Sequence, residues 1–211
     1  MGLFEDIKKI GIVPVVVIDD ADQAVGLAEA LIKGGLPCAE VTFRTAAAEE
    51  AIRRITEAFP EMLVGAGTVL TTEQAERAIN AGAKFIVAPG LNPVTVKFCQ
   101  EKGVPMIPGV VTPSEIEQGL SLGLEVLKFF PAEAMGGLKT ISAVCAAYQM
   151  IRFMPTGGIN EKNVRDYLAS KYILACGGSW MVKKDLIAAG EFGKIEEMAR
   201  TAAEIVKEVR G

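Results

Sequence analysis

Eight short apolar runs recur along this chain at intervals of about 20 to 28 residues, each followed by Gly, Pro, Thr or Ser and then by an amphipathic segment. They occupy residues 12–18, 39–43, 63–66, 85–88, 105–107, 124–129, 152–154 and 173–176. Runs of that length suit strands, not helices. The segments between them read as helices. Residues 21–33 place Ala24, Val25, Ala28, Leu31 and Ile32 on one face and stop at Gly34-Gly35. Residues 71–82 and 113–119 repeat the order of cap, helix and glycine stop, and 194–209 form a last amphipathic segment. Strands that alternate with helices pair in parallel, because a crossover helix returns the chain to the same end of the sheet. Eight such units predict a closed (β/α)8 TIM barrel, a compact one at this length, with a short N-terminal helix ahead of the first strand. No Ser, Pro or Gly-rich linker interrupts the pattern, so residues 1–211 are expected to form a single barrel domain. The rival is an open doubly wound sheet. Its dinucleotide signature is missing, because the first run leads into Asp19-Asp20 and not into a G-x-G-x-x-G turn.

A barrel places chemistry where strands end and βα loops begin. Composition narrows which chemistry. The chain has no histidine, which removes Ser-His and Cys-His dyads and HExxH zinc sites. Any proton transfer must use Glu, Asp, Lys, Tyr, Cys or water. Cys38, Cys99, Cys145 and Cys176 are widely spaced in or beside apolar segments and read as free packing thiols. With 26 acidic and 22 basic residues the net charge is -4, which argues against nucleic acid or an anionic membrane as the main partner. The first residues lack the basic stretch of a signal peptide, and the longest apolar run, 10–18, is too short to cross a bilayer, so a cytoplasmic protein is expected.

Against that background Lys128 stands out. It lies within Leu124-Glu125-Val126-Leu127-Lys128-Phe129-Phe130-Pro131, a stretch that otherwise reads as a buried strand. Alternation puts Val126, Lys128 and Phe130 on one face, with no acid of this segment beside the lysine. A free lysine amine, pKa about 10.4, is deprotonated only about once in 2,500 molecules at pH 7. Lowering that pKa by about three costs about 4 kcal/mol and yields an amine able to attack a carbonyl, and an apolar wall such as Phe130 would supply the desolvation. In the second run, Ala39-Glu40-Val41-Thr42-Phe43-Arg44, the same rule aligns Glu40, Thr42 and Arg44. Glu40 is then the missing neighbour of Lys128, either as a proton carrier or as half of a core ion pair. Arg44, at the strand's end, is placed to grip a carboxylate or to be solvated at the rim.

Three loop signals complete the reading. Gly65-Ala66-Gly67-Thr68 ends the third run with residues small enough for a ligand to approach and a hydroxyl to meet it, although small residues also make simple turns. Pro155-Thr156-Gly157-Gly158 and Gly177-Gly178-Ser179-Trp180 put glycine pairs after the seventh and eighth runs, where barrels commonly bind phosphate through backbone N–H groups. Pro131-Ala132-Glu133 opens a helix that Glu133 is placed to cap. A sugar-phosphate isomerase using a Glu base and a non-catalytic barrel remain compatible with these residues.

Six ordered motifs carry a more specific resemblance: Glu40-Val41-Thr42-Phe43-Arg44-Thr45, Gly65-Ala66-Gly67-Thr68-Val69, Pro108-Gly109-Val110, Lys128-Phe129-Phe130-Pro131-Ala132-Glu133, Pro155-Thr156-Gly157-Gly158-Ile159 and Gly177-Gly178-Ser179-Trp180. Together they resemble the class I 2-keto-3-deoxy-6-phosphogluconate (KDPG) aldolases of the KDPG/KHG family, from about Gly11 to the chain's end. The resemblance implies a TIM barrel, a homotrimer, no metal and no cofactor, and cleavage of 2-dehydro-3-deoxy-6-phosphogluconate to pyruvate and glyceraldehyde 3-phosphate. A related cleavage of 4-hydroxy-2-oxoglutarate comes with the family. Lys128 would form the Schiff base and Glu40 would move protons. Arg44 and Thr68 would hold the pyruvate carboxylate, and Phe130 would wall the amine. Thr156, Gly157, Gly158, Gly178 and Ser179 would surround the distal phosphate.

Overall fold

In the computed structural model, which describes residues 2–211, every strand pairing is parallel. The strands are β1 (Ile12–Val16), β2 (Cys38–Thr42), β3 (Leu63–Gly67), β4 (Phe85–Val87), β5 (Met106–Ile107), β6 (Gly109–Val110), β7 (Val126–Phe129), β8 (Arg152–Pro155) and β9 (Cys176–Gly178). One ladder runs β5-β4-β3-β2-β1-β9 and the other β6-β7-β8. Two joints close them into a barrel of eight staves. At the first, β5 and β6 are one stave interrupted at Pro108, which has no N–H to give to a ladder. Its carbonyl still accepts from the Lys128 N–H at 2.9 Å. At the second, Phe153 bridges to Ile173 and Thr156 to Gly177, and the Leu174 N–H donates to the Phe153 carbonyl at 2.8 Å.

Most strand ends fall within two residues of the sequence expectation, and two staves differ by more. The fifth continues beyond residue 107 to Val110. The eighth, expected over 173–176, pairs with β1 only from Cys176 onward, in the register Ile12 with Cys176 and Pro14 with Gly178. Gly177 and Gly178 therefore lie within the last strand and not in a loop after it. Packing explains the glycines. A Cβ on Gly177 would sit 2.3 Å from the Thr156 hydroxyl oxygen, and one on Gly178 would sit 1.8 Å from the Trp180 ring.

The helices follow their local signals. Thr71 caps helix Thr72–Asn80 by accepting the Gln74 N–H at 3.2 Å. Thr112 and Glu115 form a reciprocal capping box on helix Pro113–Ser121, with proline in its first turn, where a missing N–H costs nothing. The pattern at 21–33 begins as a 3-10 turn over Ala21–Gln23 before helix Ala24–Lys33, because Asp20 accepts the Asp22 N–H at 2.9 Å and tightens the entry. The final helix, Phe192–Arg210, ends on an arginine that donates to the carbonyls of Lys8, Leu168, Ile173 and Leu174, tying both chain ends to the base of the barrel.

Strand alternation sorts the interior into two shells. Val41, Ala66, Ile86, Leu127, Phe129 and Phe153 face outward and pack under helix residues such as Leu27, Leu31, Ile52, Val96 and Ile116. Val13, Cys38, Phe85, Val87, Ile107, Val126 and Met154 face inward, and the N-terminal helix Leu3–Ile10 adds Ile7 to this cluster. The inner shell is apolar toward the strand starts, and two buried charges, Glu40 and Lys128, lie farther along the strands. All four cysteines are free and buried. Burial pushes the Cys176 thiol up to about 12 and Cys99 up to about 11, so these sulfurs stay protonated and inert. Among the described residues no helix is long and apolar enough to cross a membrane.

Thr95, in the first turn of helix Pro93–Glu101, buries a hydroxyl with no hydrogen-bond partner among the described residues. Its near-isostere valine removes that desolvation cost, so Thr95→Val is expected to raise stability by about 1 kcal/mol and the melting temperature by roughly 2 to 4 °C. A scanning-calorimetry Tm equal to or below that of the parent would contradict this.

Candidate active site

Lys128 on β7 and Glu40 on β2 come from opposite sides of the barrel and meet inside it. The lysine Nζ lies 3.2 Å from Glu40 Oε1, with the residues 4% and 0% exposed. Two charges this deep persist because each compensates the other, and removing either partner of such a pair typically costs 3 to 5 kcal/mol. The pair is also incomplete, because Glu40 Oε2 has no partner among the described residues. One carboxylate oxygen thus holds the amine while the other is available to a proton on a ligand or a water. Phe130 lies beyond the end of β7 on the Lys128 side, with its ring centroid 5.2 Å from Nζ. That ring both excludes water and turns its electron-rich face to a nitrogen cation.

Making this meeting possible falls to β3. Sequence reasoning assigned its glycines to ligand approach, whereas the structure gives them a different task. A Cβ on Gly67 would lie 2.2 Å from Glu40 Oε1, and one on Gly65 would lie 2.3 Å from the Phe85 ring. The glycines clear space for neighbouring side chains, one of them the carboxylate. The signal for this role is the place of Gly67, two residues from Gly65 on the inward face beside Glu40.

A second group sits where β2 and β3 end. Arg44 Nε donates to the Thr68 hydroxyl at 3.1 Å. Thr68 has φ of +55°, the one positive value outside glycine among the described residues. For a β-branched residue that conformation costs about 1 to 3 kcal/mol. The Arg44 bond and the Val69 N–H, which donates to the Val87 carbonyl at 3.1 Å, hold it. Arg44 is exposed and Thr68 half-buried, so both guanidinium and hydroxyl face accessible space at the strand ends.

The third group follows β8. Gly157 and Gly158 have φ of +97° and +83°, a consecutive pair that side chains would strain. The carbonyls of this loop are all tied back to protein. Thr156 O accepts from the Ala132 N–H at 2.8 Å and Gly157 O from the Glu133 N–H at 3.0 Å. Gly158 O accepts from the side-chain amides of Asn160 and Asn163 at 2.9 and 3.1 Å. In a planar trans peptide the next N–H points opposite to the carbonyl. The N–H groups of Gly157, Gly158 and Ile159 therefore each point away from the partner of the carbonyl before them, and three such donors in succession are suited to an anion. Thr156 is 7% exposed and its hydroxyl has no partner among the described residues. Ser179 is exposed just past β9, while Gly178 is buried within that strand.

Glu133 does not cap the helix it precedes. Its carboxylate accepts from the Tyr167 hydroxyl, and burial together with that bond pushes the Tyr167 phenol upward, so it remains a donor. Tyr167, Asn160 and Asn163 were not found from sequence. Tyr167 lies on an outer helix where an aromatic residue reads simply as packing. A cleft of about 710 Å³ opens elsewhere, at the strand starts, with Phe4, Glu125 and Arg152 in its wall. Its Arg210 is spent on backbone carbonyls, so volume alone does not locate the chemistry. Among the described residues no cluster of three or more His, Cys, Asp or Glu side chains gathers to hold a metal ion.

Residues 3–198 match the aldolase family described as KDPG and KHG aldolase. The chain belongs to this family. The 2-dehydro-3-deoxy-phosphogluconate aldolase of Treponema pallidum is 48% identical over 204 residues, covering 97% of each chain. The crystal structure of KDPG aldolase from Legionella pneumophila, with pyruvate captured as a covalent carbinolamine, superposes with a TM-score of 0.91 at 37% identity, over 94% of this chain and 97% of that one. The Zymomonas mobilis KDPG aldolase with 3-phosphoglycerate gives 0.87 at 38% identity, over 95% of both. For a member of the KDPG and KHG aldolase family, a buried amine beside a half-partnered carboxylate is the arrangement that imine chemistry asks for.

Gly67→Ala tests the clearance. The obstructed atoms, Oε1, Cγ and Cδ, all belong to the one Glu40 side chain, so the barrel should fold with Glu40 displaced from Lys128, and kcat is expected to fall by roughly 10²-fold. Steady-state rates with circular dichroism decide it, and an unchanged kcat would show that the carboxylate's place does not matter.

Proposed function

We propose that Lys128 and Glu40 together run a class I aldolase reaction, cleaving 2-dehydro-3-deoxy-6-phosphogluconate to pyruvate and glyceraldehyde 3-phosphate. The observation that carries this reading is the buried 3.2 Å contact between Lys128 Nζ and Glu40 Oε1, with Glu40 Oε2 unpartnered among the described residues. Transfer of a proton from the ammonium leaves a neutral amine, whose lone pair attacks the ketone carbon C2 to give a carbinolamine. Proton donation to the carbinolamine hydroxyl releases water and leaves a protonated imine on Lys128. The imine is the electron sink. Glu40 then takes the C4 hydroxyl proton, the C3–C4 bond breaks, and its electrons flow toward the nitrogen as the aldehyde leaves. Protonation of the resulting enamine at C3 and hydrolysis return the lysine and release pyruvate. Throughout the cationic stages the Glu40 carboxylate and the Phe130 face stabilise charge at the nitrogen.

The remaining groups orient the substrate. Arg44 and Thr68 hold the carboxylate next to the reacting ketone, where guanidinium and hydroxyl donors suit two anionic oxygens. The Gly157-Gly158 loop, with Thr156, Gly178 and Ser179 around it, takes the distal phosphate through N–H groups that point opposite to its tied carbonyls. The Legionella relative's carbinolamine with pyruvate and the Zymomonas relative's complex with 3-phosphoglycerate support the two halves of this assignment. The family also includes KHG aldolases, and 4-hydroxy-2-oxoglutarate offers the same ketone with a carboxylate in place of the phosphate.

Incubation with pyruvate and borohydride is expected to leave one reduced-pyruvate adduct on the wild type by intact mass and none on Lys128→Met. Glu40→Gln should still bind ketone but lose roughly 10² to 10⁴ in kcat. Turnover by Lys128→Met at the wild-type rate would end the imine assignment. The phosphorylated substrate should exceed 4-hydroxy-2-oxoglutarate in kcat/KM by about tenfold or more, as expected when charge-assisted donors find their intended anion. The reverse order would remove the phosphate assignment while leaving the imine intact.

A further inference from the structure

The Gly157-Gly158 loop consists of the residue type with the most backbone freedom, so its shape must be imposed from outside. One side is held by Asn160 and Asn163, which both donate to Gly158 O. The other side rests on Glu133. Its N–H donates to Gly157 O at 3.0 Å, and its Cβ and Cγ lie so close to Gly158 that a Cβ there would fall 2.6 and 2.5 Å from them. Although Glu133 itself is exposed, its carboxylate is pinned by the hydroxyl of Tyr167, which is 2% exposed on helix Val164–Ala169. That helix follows the loop in the chain, so the loop is gripped between the segment after β7 and the helix after β8. The pin also settles a charge problem. Glu133 is an anion beside a concentration of N–H donors, and its bond to the phenol keeps the carboxylate turned toward the helix.

We propose that Tyr167, acting through Glu133, is a positioning residue that holds the Gly157-Gly158 loop in its phosphate-receiving shape and thereby sets the preference for phosphorylated over unphosphorylated substrates. This rests on the assignment of the loop to phosphate made above. Neither residue takes part in imine chemistry, so the effect is confined to the distal end of the substrate. Loss of the phenol hydroxyl frees the loop and releases an anion beside the phosphate, and both changes weaken binding of the phosphorylated substrate.

Tyr167→Phe keeps the ring's packing and removes the hydroxyl, which donates to Glu133 and also takes a backbone hydrogen bond from Leu138. Kinetics on 2-dehydro-3-deoxy-6-phosphogluconate and on 4-hydroxy-2-oxoglutarate, with inorganic phosphate as competitive inhibitor and a melting temperature for each variant, test the role. The expected result is a KM for the phosphorylated substrate, and a Ki for phosphate, raised about tenfold, with kcat and the unphosphorylated kcat/KM within about twofold of wild type. Glu133→Gln retains an acceptor for the phenol and should stay close to wild type, whereas Glu133→Ala loses the clamp without releasing an anion and should raise the same KM and Ki by less than Tyr167→Phe does. Equal losses on both substrates would reduce the pair to a structural contact and overturn the proposal. If the wild type prefers phosphate and Tyr167→Phe matches it, the proposal alone fails. If the wild type neither prefers the phosphorylated substrate nor responds to phosphate, the loop assignment fails and the proposal falls with it.

Discussion

The contact between Lys128 and Glu40 is the constraint on which the rest of this barrel depends. A charge buried without a partner would cost several kcal/mol, a large fraction of what holds a domain together, so the two side chains are far less costly to bury together than apart. Their positions, 88 residues apart in the chain, mean that the barrel must close before the pair exists. Closure is what the outer shell of Leu127, Phe129, Phe153 and Val41 provides, by packing the strands under their helices. The apolar shell does the folding, and the polar pair draws on the stability so generated.

Space around the pair is controlled as strictly as charge. Gly67 leaves room for the Glu40 carboxylate, Gly65 for Phe85, and Gly177 for the Thr156 hydroxyl. These are three instances of one device, in which an inward position on one strand gives up its side chain so that a neighbour can extend into the barrel. The loop after β8 uses glycine differently. There the positive φ angles of Gly157 and Gly158 let three successive carbonyls turn toward protein donors, and peptide planarity then turns the N–H groups the other way. The proposed reacting end of the site is therefore built from side chains in strands, and the proposed anion-binding end from backbone in a loop. The first demands precise strand register, and the second demands clamps such as Glu133, Asn160 and Asn163.

Much of this was legible in the sequence because it depends on local rules. Period-two alternation placed Glu40 and Lys128 on inward faces, and an inward charge in an apolar run already demanded a partner. Thr112 with Glu115, and Thr71 with Gln74, are caps whose partners lie within one turn. The errors arose where a residue answers to something distant. The most apolar stretch, 173–176, places the eighth strand too early, whereas ladder pairing with β1 extends it through two glycines that no strand propensity favours. Glu133 was read as a cap because it precedes a helix, yet its partner Tyr167 lies 34 residues away. Thr68 gave no hint of its positive φ, since a strained dihedral is imposed by surroundings and not by the residue that bears it.

The sequence by itself determined the alternation of strands and helices, the parallel order of the sheet, the face each strand residue presents and the identities of the amine and carboxylate. These follow from side-chain period, capping chemistry and the cost of burying charge, all of which act over a few residues. Tertiary structure alone decided that Glu40 gives only one oxygen to Lys128, that Gly67 makes way for it, and that Tyr167 secures the loop through Glu133. Those are distances between atoms far apart in the chain, and they come into being only when the barrel closes and fixes every strand against its neighbours.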